Sequence, residues 1–291
     1  MRSCIICGRK LKLFREEKIN HSNLDAYSYS SRKIPEYMHY ALYECENCHV
    51  LYSDCTVEKQ EIFRNYKEAD YDSGDEADNA SRTYYKYLCK YLPNYQANRA
   101  LDIGTGNGGY LEILMRKGID VVGIEPSDAP IRQAAPAIRD KIINDVFKKG
   151  MFEAESFDII SLFQTIEHIP DTENTLKEIF SLLSGEGYFY LVCHDYRSLI
   201  NRILGDKSPI YDIEHLQIFS KKSICRILKK TGYREIKVFT IWNKYPLKYW
   251  MRLFPLKKSI KDRMLNFLEH KAIGQICIPV NVGNIGIIAK K

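Results

Sequence analysis

The stretch that decides the fold is Leu101-Asp102-Ile103-Gly104-Thr105-Gly106-Asn107-Gly108-Gly109. It starts inside an apolar, strand-like run, RALDIG (99–104), and passes into GGYLEILMRKG, whose apolar residues recur at helical spacing. Glycines between a strand and a helix allow a tight turn and let a ligand approach the backbone closely. Glu125 closes the next strand-like run about twenty residues later, where its carboxylate can accept hydrogen bonds from ribose hydroxyls. Gly104, Gly106 and Gly109 also satisfy the dinucleotide fingerprint GxGxxG, so the turn alone leaves a nicotinamide dehydrogenase open.

Outward from this turn, residues 81–240 alternate strand-like and helix-like segments. The strands are DVVGIEP (120–126), KIIND (141–145), FDIISLF (157–163), GYFYLVCHD (187–195) and REIKVFTIW (234–242). DTENTLKEIFSLLSG and SKKSICRILKKTG read as helices ending at Gly185 and Gly232, with Ser220 placed to cap the second. NIGIIAKK (284–291) reads as a last strand. This alternation predicts a mostly parallel sheet with helices on both faces. Residues 61–80 are polar, become acidic toward their end and read as a linker; residues 244–280 interrupt the rhythm and read as an insertion.

A chain of 291 residues suffices for one large domain and a small accessory one. No apolar run approaches the ~20 residues of a membrane-spanning helix, and no secretory signal is visible at the start. Both features place the protein in the cytoplasm. The formal net charge of +6 fits a solvated surface as well as an anionic partner.

In a reducing compartment, closely spaced cysteines signify metal binding or redox chemistry more often than disulfides. Cys4-x-x-Cys7-Gly8 and Cys45-x-x-Cys48 form two knuckles within residues 1–60, and four thiolates in this pattern suit a closed, structural zinc site. His21, His39, His49 and Cys55 are substitute ligands. Cys45-Glu-Asn-Cys48-His49 also carries the letters of a c-type haem attachment site. That reading requires export and leaves the first pair unexplained. A redox dithiol is disfavoured because neither pair stands at a strand-to-helix junction. Cys89, Cys193, Cys225 and Cys277 lie in apolar segments and read as small buried side chains.

Asp102, two residues before the first glycine, extends the turn to D-x-G-x-G-x-G, which resembles motif I of class I methyltransferases that use S-adenosylmethionine (SAM). The resemblance continues through FDIISLFQTIEHIPDTENTLKEI, similar to that family's fourth strand and following loop, and through REIKVFTIW with NIGIIAKK, similar to its closing antiparallel hairpin. It implies a Rossmann-like, mostly parallel seven-stranded α/β sheet over residues 81–291, preceded by a small zinc-ribbon module. It also implies that Asp102, Gly104, Thr105, Gly106, Asn107 and Gly108 form the cofactor loop. Glu125 and Pro126 take the ribose position, Asp145 and Val146 the adenine position, and Phe163 and Gln164 the methionine end. S-adenosylhomocysteine (SAH) would be the product. The two knuckles, the EH after strand four and Glu214-His215-Leu216-Gln217-Ile218-Phe219-Ser220 resemble a bacterial group with a zinc ribbon before the methyltransferase domain, often active on cell-envelope polysaccharides or nucleotide sugars. Some zinc-containing relatives are sugar C-methyltransferases, but these have a longer C-terminal domain.

Methyl transfer from a sulfonium needs in-line alignment of the acceptor, and a hydroxyl acceptor also benefits from a base. His168 follows strand four, His194 and Asp195 end strand five, and His215, with Tyr211 nearby as an acceptor contact, precedes a helix on the same side. These three histidines are the candidate bases or acceptor-positioning groups; capping of the Pro170-Asp171 turn is the structural alternative for His168. The acceptor is read as small or sugar-like, methylated on oxygen. The alternatives are an RNA methyltransferase whose zinc ribbon and lysines grip phosphates and a SAM-binding module without turnover. No Asn/Asp-Pro-Pro-Tyr motif is present, which counts against methylation of exocyclic amines in DNA.

In the insertion, Leu247, Trp250, Met251 and Phe254 recur at helical spacing, as do Ile260, Met264, Phe267 and Leu268. Lys244, Lys248 and Arg252 fall on another face, followed by Lys257, Lys258, Lys261 and Arg263. The segment suits either a lid whose apolar stripe packs on the sheet or an amphipathic contact with the inner face of an anionic membrane. Pro246 and Pro255 favour the lid, because they split the segment into short pieces.

Overall fold

The computed structural model describes residues 3–20, 37–55, 67, 74–254, 256–269 and 271–291. His21, Pro255 and most of the segment read as a linker lie outside them. The first described elements are three short strands, β1 (Lys12–Arg15), β2 (Leu42–Glu44) and β3 (Leu51–Ser53). Helix α1 (Gly74–Tyr91) follows and begins inside the span read as linker. The acidic residues of that span suit the N-terminal end of a helix, and Tyr84 and Leu88 bury one face of α1.

The nucleotide-fold elements then alternate: β4 (Arg99–Ile103), α2 (Gly109–Met115), β5 (Asp120–Ile124), the short helices α3 (Asp128–Gln133) and α4 (Pro136–Arg139), and β6 (Ile142–Ile143). After β7 (Phe157–Phe163) come α5 (Thr172–Leu182), β8 (Leu183–His194) and α6 (Leu199–Leu204). Next are β9 (Gln217–Ile218), α7 (Lys221–Lys230) and β10 (Arg234–Thr240). The insertion comprises β11 (Asn243–Pro246), α8 (Leu247–Leu253), α9 (Lys258–Glu269) and β12 (Cys277–Val280), and the chain closes with β13 (Asn284–Lys290).

Seven strands form the central sheet in the order β10-β13-β8-β7-β4-β5-β6. All pairs from β8 to β6 are parallel, and β13 lies antiparallel between β8 and β10. Chain order reverses at β4, which has β5 on one side and β7 on the other, so β4 is the topological switch point. Along the strands, successive residues enter different cores. Ile160, Leu191 and Ile287 pack with α5 and α7, whereas Ile159, Tyr190 and Ile288 pack with α1 and α2. Both faces are therefore covered, which explains why these strands read as continuous apolar runs.

Gly185 does not end α5. The helix stops at Leu182, and Leu183, already extended, pairs with Phe157. Burial of Leu182 and Leu183 outweighs the local glycine signal. Gly232 does follow its helix, at φ 104, and Ser220 caps α7 by a reciprocal box with Ser223. Only Ile142 and Ile143 of KIIND form a strand.

The cysteine segment is joined to the α/β domain by a sheet of its own, ordered β1-β2-β3-β9, in which Leu51 pairs with Ile218 and Tyr52 with Gln217. Ser220 Oγ donates to the His49 carbonyl at 2.6 Å, and Arg226 donates to the Asn47 carbonyl at 2.7 Å. Tyr211 packs at this junction, with Arg15 4.5 Å above its ring, and not against the cavity described below.

Candidate active site

At the C-terminal end of β4, the glycine turn is held by its own backbone. Gly104 and Thr105 N–H both donate to the Ile124 carbonyl, at 2.8 and 3.1 Å, tying the loop to the end of β5. Gly104, Gly106 and Gly108 have φ of 74, 59 and 72, a region that favours glycine. A Cβ on Gly104 would fall 2.3 Å from Thr165 Oγ1, and one on Gly108 2.3 Å from Ile138 Cγ2. These two glycines thus serve close packing of protein on protein. Asp102 is buried beneath the loop, where Ser161 Oγ donates to it at 2.5 Å. Burial pushes its carboxyl up to about 6.

Glu125 accepts from Gly106 N–H on one carboxylate oxygen and from Ser127 N–H on the other, both at 2.9 Å. Burial raises it to about 7, against the two backbone donors, which favour the ionised form. Each oxygen keeps a lone pair for a ligand hydroxyl. Gln164, at the end of β7, has φ 52, and neither atom of its buried carboxamide has a hydrogen-bond partner of ordinary geometry. A side chain held in this costly state at a cavity wall suits a ligand contact.

These residues surround one cavity of about 1030 Å³, lined by Asp102, Gly104, Thr105, Gly106, Asn107, Glu125, Pro126, Val146, Phe163, Gln164, His168, His194 and His215. Its size matches the upper end of typical ligand pockets. Of the sequence-assigned cofactor residues, Gly108 and Asp145 are not in its lining. Gly108 caps α2. Asp145 accepts from Lys148 Nζ at 2.7 Å and from Val146 N–H at 2.7 Å. Phe163 sits in an aromatic group, 4.7 Å from Tyr84 and 4.8 Å from Tyr110 between ring centroids.

The three histidines, distant in sequence, come together in the cavity lining. The His168 and His215 rings lie 4.9 Å apart, and those of His194 and His215 5.3 Å apart. His215 Nδ1 donates to the Ile210 carbonyl at 2.7 Å, and His194 Nδ1 meets Asn284 Oδ1 at 2.9 Å. Burial depresses all three imidazoles, His194 to about 4, so each is neutral at neutral pH. His194 and the adjacent Asp195 are held apart: Asp195 Oδ1 accepts from Arg197 N–H, because successive side chains leaving a strand diverge. His168 Nδ1 meets the Glu214 backbone carbonyl at 3.2 Å, and Asp171 caps α5. Glu167, fully buried, accepts from His194 N–H at 2.7 Å on one oxygen and has no partner on the other.

Two walls contain residues that sequence reasoning did not assign to the site. One is α1: Glu76, Ser81 and Tyr84 line the cavity, and Asp78 Oδ1 stands 3.4 Å from Asn107 Nδ2. The other is the insertion, which supplies Tyr245, Tyr249, Trp250 and Leu253. Trp250 Nε1 donates to the Ile278 carbonyl at 3.0 Å, and Arg252 reaches Glu76 at 4.0 Å, fastening α8 to β12 and to α1. The Tyr245, Tyr249 and Trp250 rings pack together within 5.5 Å, an aromatic clustering that was the available signal.

In the cysteine segment, the sulfurs of Cys4, Cys7, Cys45 and Cys48 lie within 4.8 Å of one another. Each knuckle closes on a left-handed residue, Gly8 at φ 71 and His49 at φ 59, whose N–H donates 2.7 Å back to the first cysteine carbonyl. Four converging sulfurs fit a tetrahedral zinc ion.

A glycine turn at the switch point of a doubly wound sheet, with a ribose-ready acid on the next strand, defines a nucleotide-binding α/β protein of the methyltransferase type. The family described as "Methyltransferase domain" matches residues 76–238, more than half of the chain, and the chain belongs to it. It is 27% identical over 128 residues to a ubiquinone biosynthesis O-methyltransferase of Acinetobacter baylyi, covering 41% of this chain and 54% of that protein. It is 22% identical over 206 residues to the C-methyltransferase NovU of Streptomyces niveus, covering 67% and 47%. The chain thus spans about half the length of the curated relatives it matches. Among solved structures, a SAM-dependent methyltransferase from Thermotoga maritima covers 75% of this chain at TM-score 0.50 and 20% identity, with 92% of its own chain covered. The [4+2]-cyclase SpnF covers 73% of this chain, with 81% of its own covered, at TM-score 0.50 and 17% identity. These likenesses show the fold alone. The residues present fit SAM: Glu125 has spare lone pairs, and Gln164 offers a donor and an acceptor inside the same cavity.

Proposed function

We propose that this chain transfers the methyl group of SAM to a hydroxyl of a small or sugar-like acceptor, releasing SAH. The observation that carries this reading is the cavity itself. Gly104 to Asn107, Glu125 and Gln164, proposed for the cofactor, and the three neutral imidazoles line one and the same cavity of about 1030 Å³. Oxygen is supported as the target by the O-methyltransferases among the relatives, and by histidines that can accept a hydroxyl proton or hold its oxygen in line. Asp145 and Val146 would flank the adenine, and Phe163 the methionine end. Bound SAM supplies the electrophilic methyl group; the protein supplies alignment and exclusion of water. A zinc ion on Cys4, Cys7, Cys45 and Cys48 is structural, since a closed four-sulfur site leaves no open position.

An acceptor carried at an anionic membrane, such as a lipid-linked sugar of the cell envelope, is favoured by one further observation. No helix among the described residues is long and apolar enough to cross a membrane. However, Ile260, Met264 and Phe267 on α9 are 48%, 39% and 59% exposed, so the stripe expected to pack on the sheet largely faces solvent. Lys257 and Arg263 are exposed beside it. Helix α8 of the same insertion lines the cavity, which would couple surface docking to acceptor entry.

The test is transfer of labelled methyl from SAM into fractionated cell extract by the purified protein. Label in a hydroxyl-bearing small-molecule or glycolipid fraction is expected. Label in RNA, or SAH binding without any transfer, would overturn the reading.

A further inference from the structure

We infer that Asn243, at the start of β11, is a specificity-determining residue whose side-chain oxygen accepts a hydrogen bond from a second hydroxyl of the acceptor, beside the one methylated. The inference deepens the reading of this cavity as a methyl-transfer site and rests on it. Asn243 lines the cavity and is 2% exposed, yet its Oδ1 has no hydrogen-bond partner among the described residues. Three other asparagines line the same cavity, and their side chains are committed to the protein. Asn201 Nδ2 donates to the Asp195 carbonyl and Asn201 Oδ1 accepts from Ser208 Oγ, both at 2.8 Å. Asn281 Oδ1 accepts from Gly283 N–H at 2.7 Å, and Asn284 Oδ1 faces His194 Nδ1 at 2.9 Å. An unpaired buried carboxamide oxygen is costly, and a folded chain keeps few of them.

Local structure points the same way. Asparagine is disfavoured in strands, but Asn243 is held in one, opposite Val280; residues that break a local preference concentrate at functional sites. Its position separates it from the ribose end of the cofactor. Ile241 N–H donates to the Asn284 carbonyl at 3.0 Å, so the chain enters β11 from the β10 edge of the central sheet. β10 lies five strand spacings, roughly 24 Å, from β5, which leads to Glu125. The same contact ties the approach to β11 to Asn284, the residue that holds His194. An amide oxygen only accepts, so His194 Nδ1 carries the proton in that bond and Nε2 is left as an acceptor. The cavity lining therefore includes two hydrogen-bond acceptors on neighbouring elements, His194 Nε2 and Asn243 Oδ1. An acceptor molecule with two or more hydroxyls, as a sugar has, satisfies both. A lone alcohol leaves Asn243 unpaired.

The test compares wild type with Asn243→Leu, which keeps the branched shape and removes the hydrogen-bond acceptor, and with Asn243→Asp, which keeps an oxygen. Labelled methyl transfer from SAM is followed against increasing amounts of the small-molecule fraction of cell extract. Asn243→Leu should raise the half-saturating amount of extract roughly 10-fold, the worth of one hydrogen bond, and change the maximal rate less than that. Asn243→Asp should restore part of the loss. Removing an unpaired buried oxygen relieves the ligand-free protein, so Asn243→Leu should also raise Tm by roughly 2–4 °C. A residue that served only the fold would shift Tm the other way. A lowered Tm, an unchanged half-saturating amount, or SAH affinity lost in the same proportion would each overturn the assignment. Wild-type protein that binds SAH but transfers no label would instead overturn the methyl-transfer reading on which it rests.

Discussion

Glu125 shows how a single residue couples fold and ligand. Burial raises its pKa from 4.5 to about 7, so the folded chain holds the proton more tightly than the unfolded chain. The stability gained is complete below about 4.5 and is lost as pH rises through about 7. Ribose hydroxyls need the ionised carboxylate, so SAH affinity should change in the opposite sense and increase as pH rises through that value. Glu125→Gln should flatten this profile and weaken SAH binding roughly 10–100-fold, the worth of a hydrogen bond to a charged group. Calorimetric titration across the range checks both, and an unchanged profile would remove Glu125 from the ribose site. His194, neutral and anchored on Asn284, is expected to act on the acceptor alone. His194→Ala should lower turnover roughly 10²–10⁴-fold with SAH affinity retained, as single-turnover assays would report. Asp102, Glu125 and the glycines of the turn were legible as candidates in the sequence because they share one strand–turn–helix and the strand beside it. The partners of each histidine were not, since Asn284 lies ninety positions from His194.

Among the elements, the insertion has two working faces. Helix α8 turns Trp250 inward, bonded to the Ile278 carbonyl, while α9 leaves Phe267 at the surface. Trp250→Ala removes an aromatic wall and the bond that fastens α8 to β12. It should raise KM for the acceptor several-fold and leave SAH affinity nearly unchanged; steady-state kinetics with both ligands decides this. Phe267→Asp should instead leave reaction with a water-soluble acceptor intact and abolish co-sedimentation with vesicles rich in anionic lipid. Equal sedimentation of wild type and variant would remove the membrane role. The helical periods of both segments were visible in sequence, but not which face would be covered. That depends on packing against α1 and β12, which the local period does not encode.

At the scale of the molecule, the cysteine segment does not hang from a linker. β3 pairs with β9, Cys45 and Cys48 belong to the same packed core as α5 and α7, and Arg226 bridges from α7 to the second knuckle. Chelation of the proposed zinc should therefore lower Tm of the whole chain by roughly 10 °C or more, since each lost kcal/mol moves Tm by about 2–4 °C. It should do so in one cooperative transition. Calorimetry showing two separate transitions would mean an independent module. The sequence by itself determined the parallel sheet, the glycine turn with Glu125 and the two knuckles, because each is set by local periodicity, backbone freedom or close ligand spacing. Only the tertiary structure decided that α1 and the insertion wall the cavity, that β9 fuses the cysteine segment to the sheet, and that three histidines meet. Those contacts join residues far apart in the chain, and they follow from burial of both sheet faces, which local patterns do not encode.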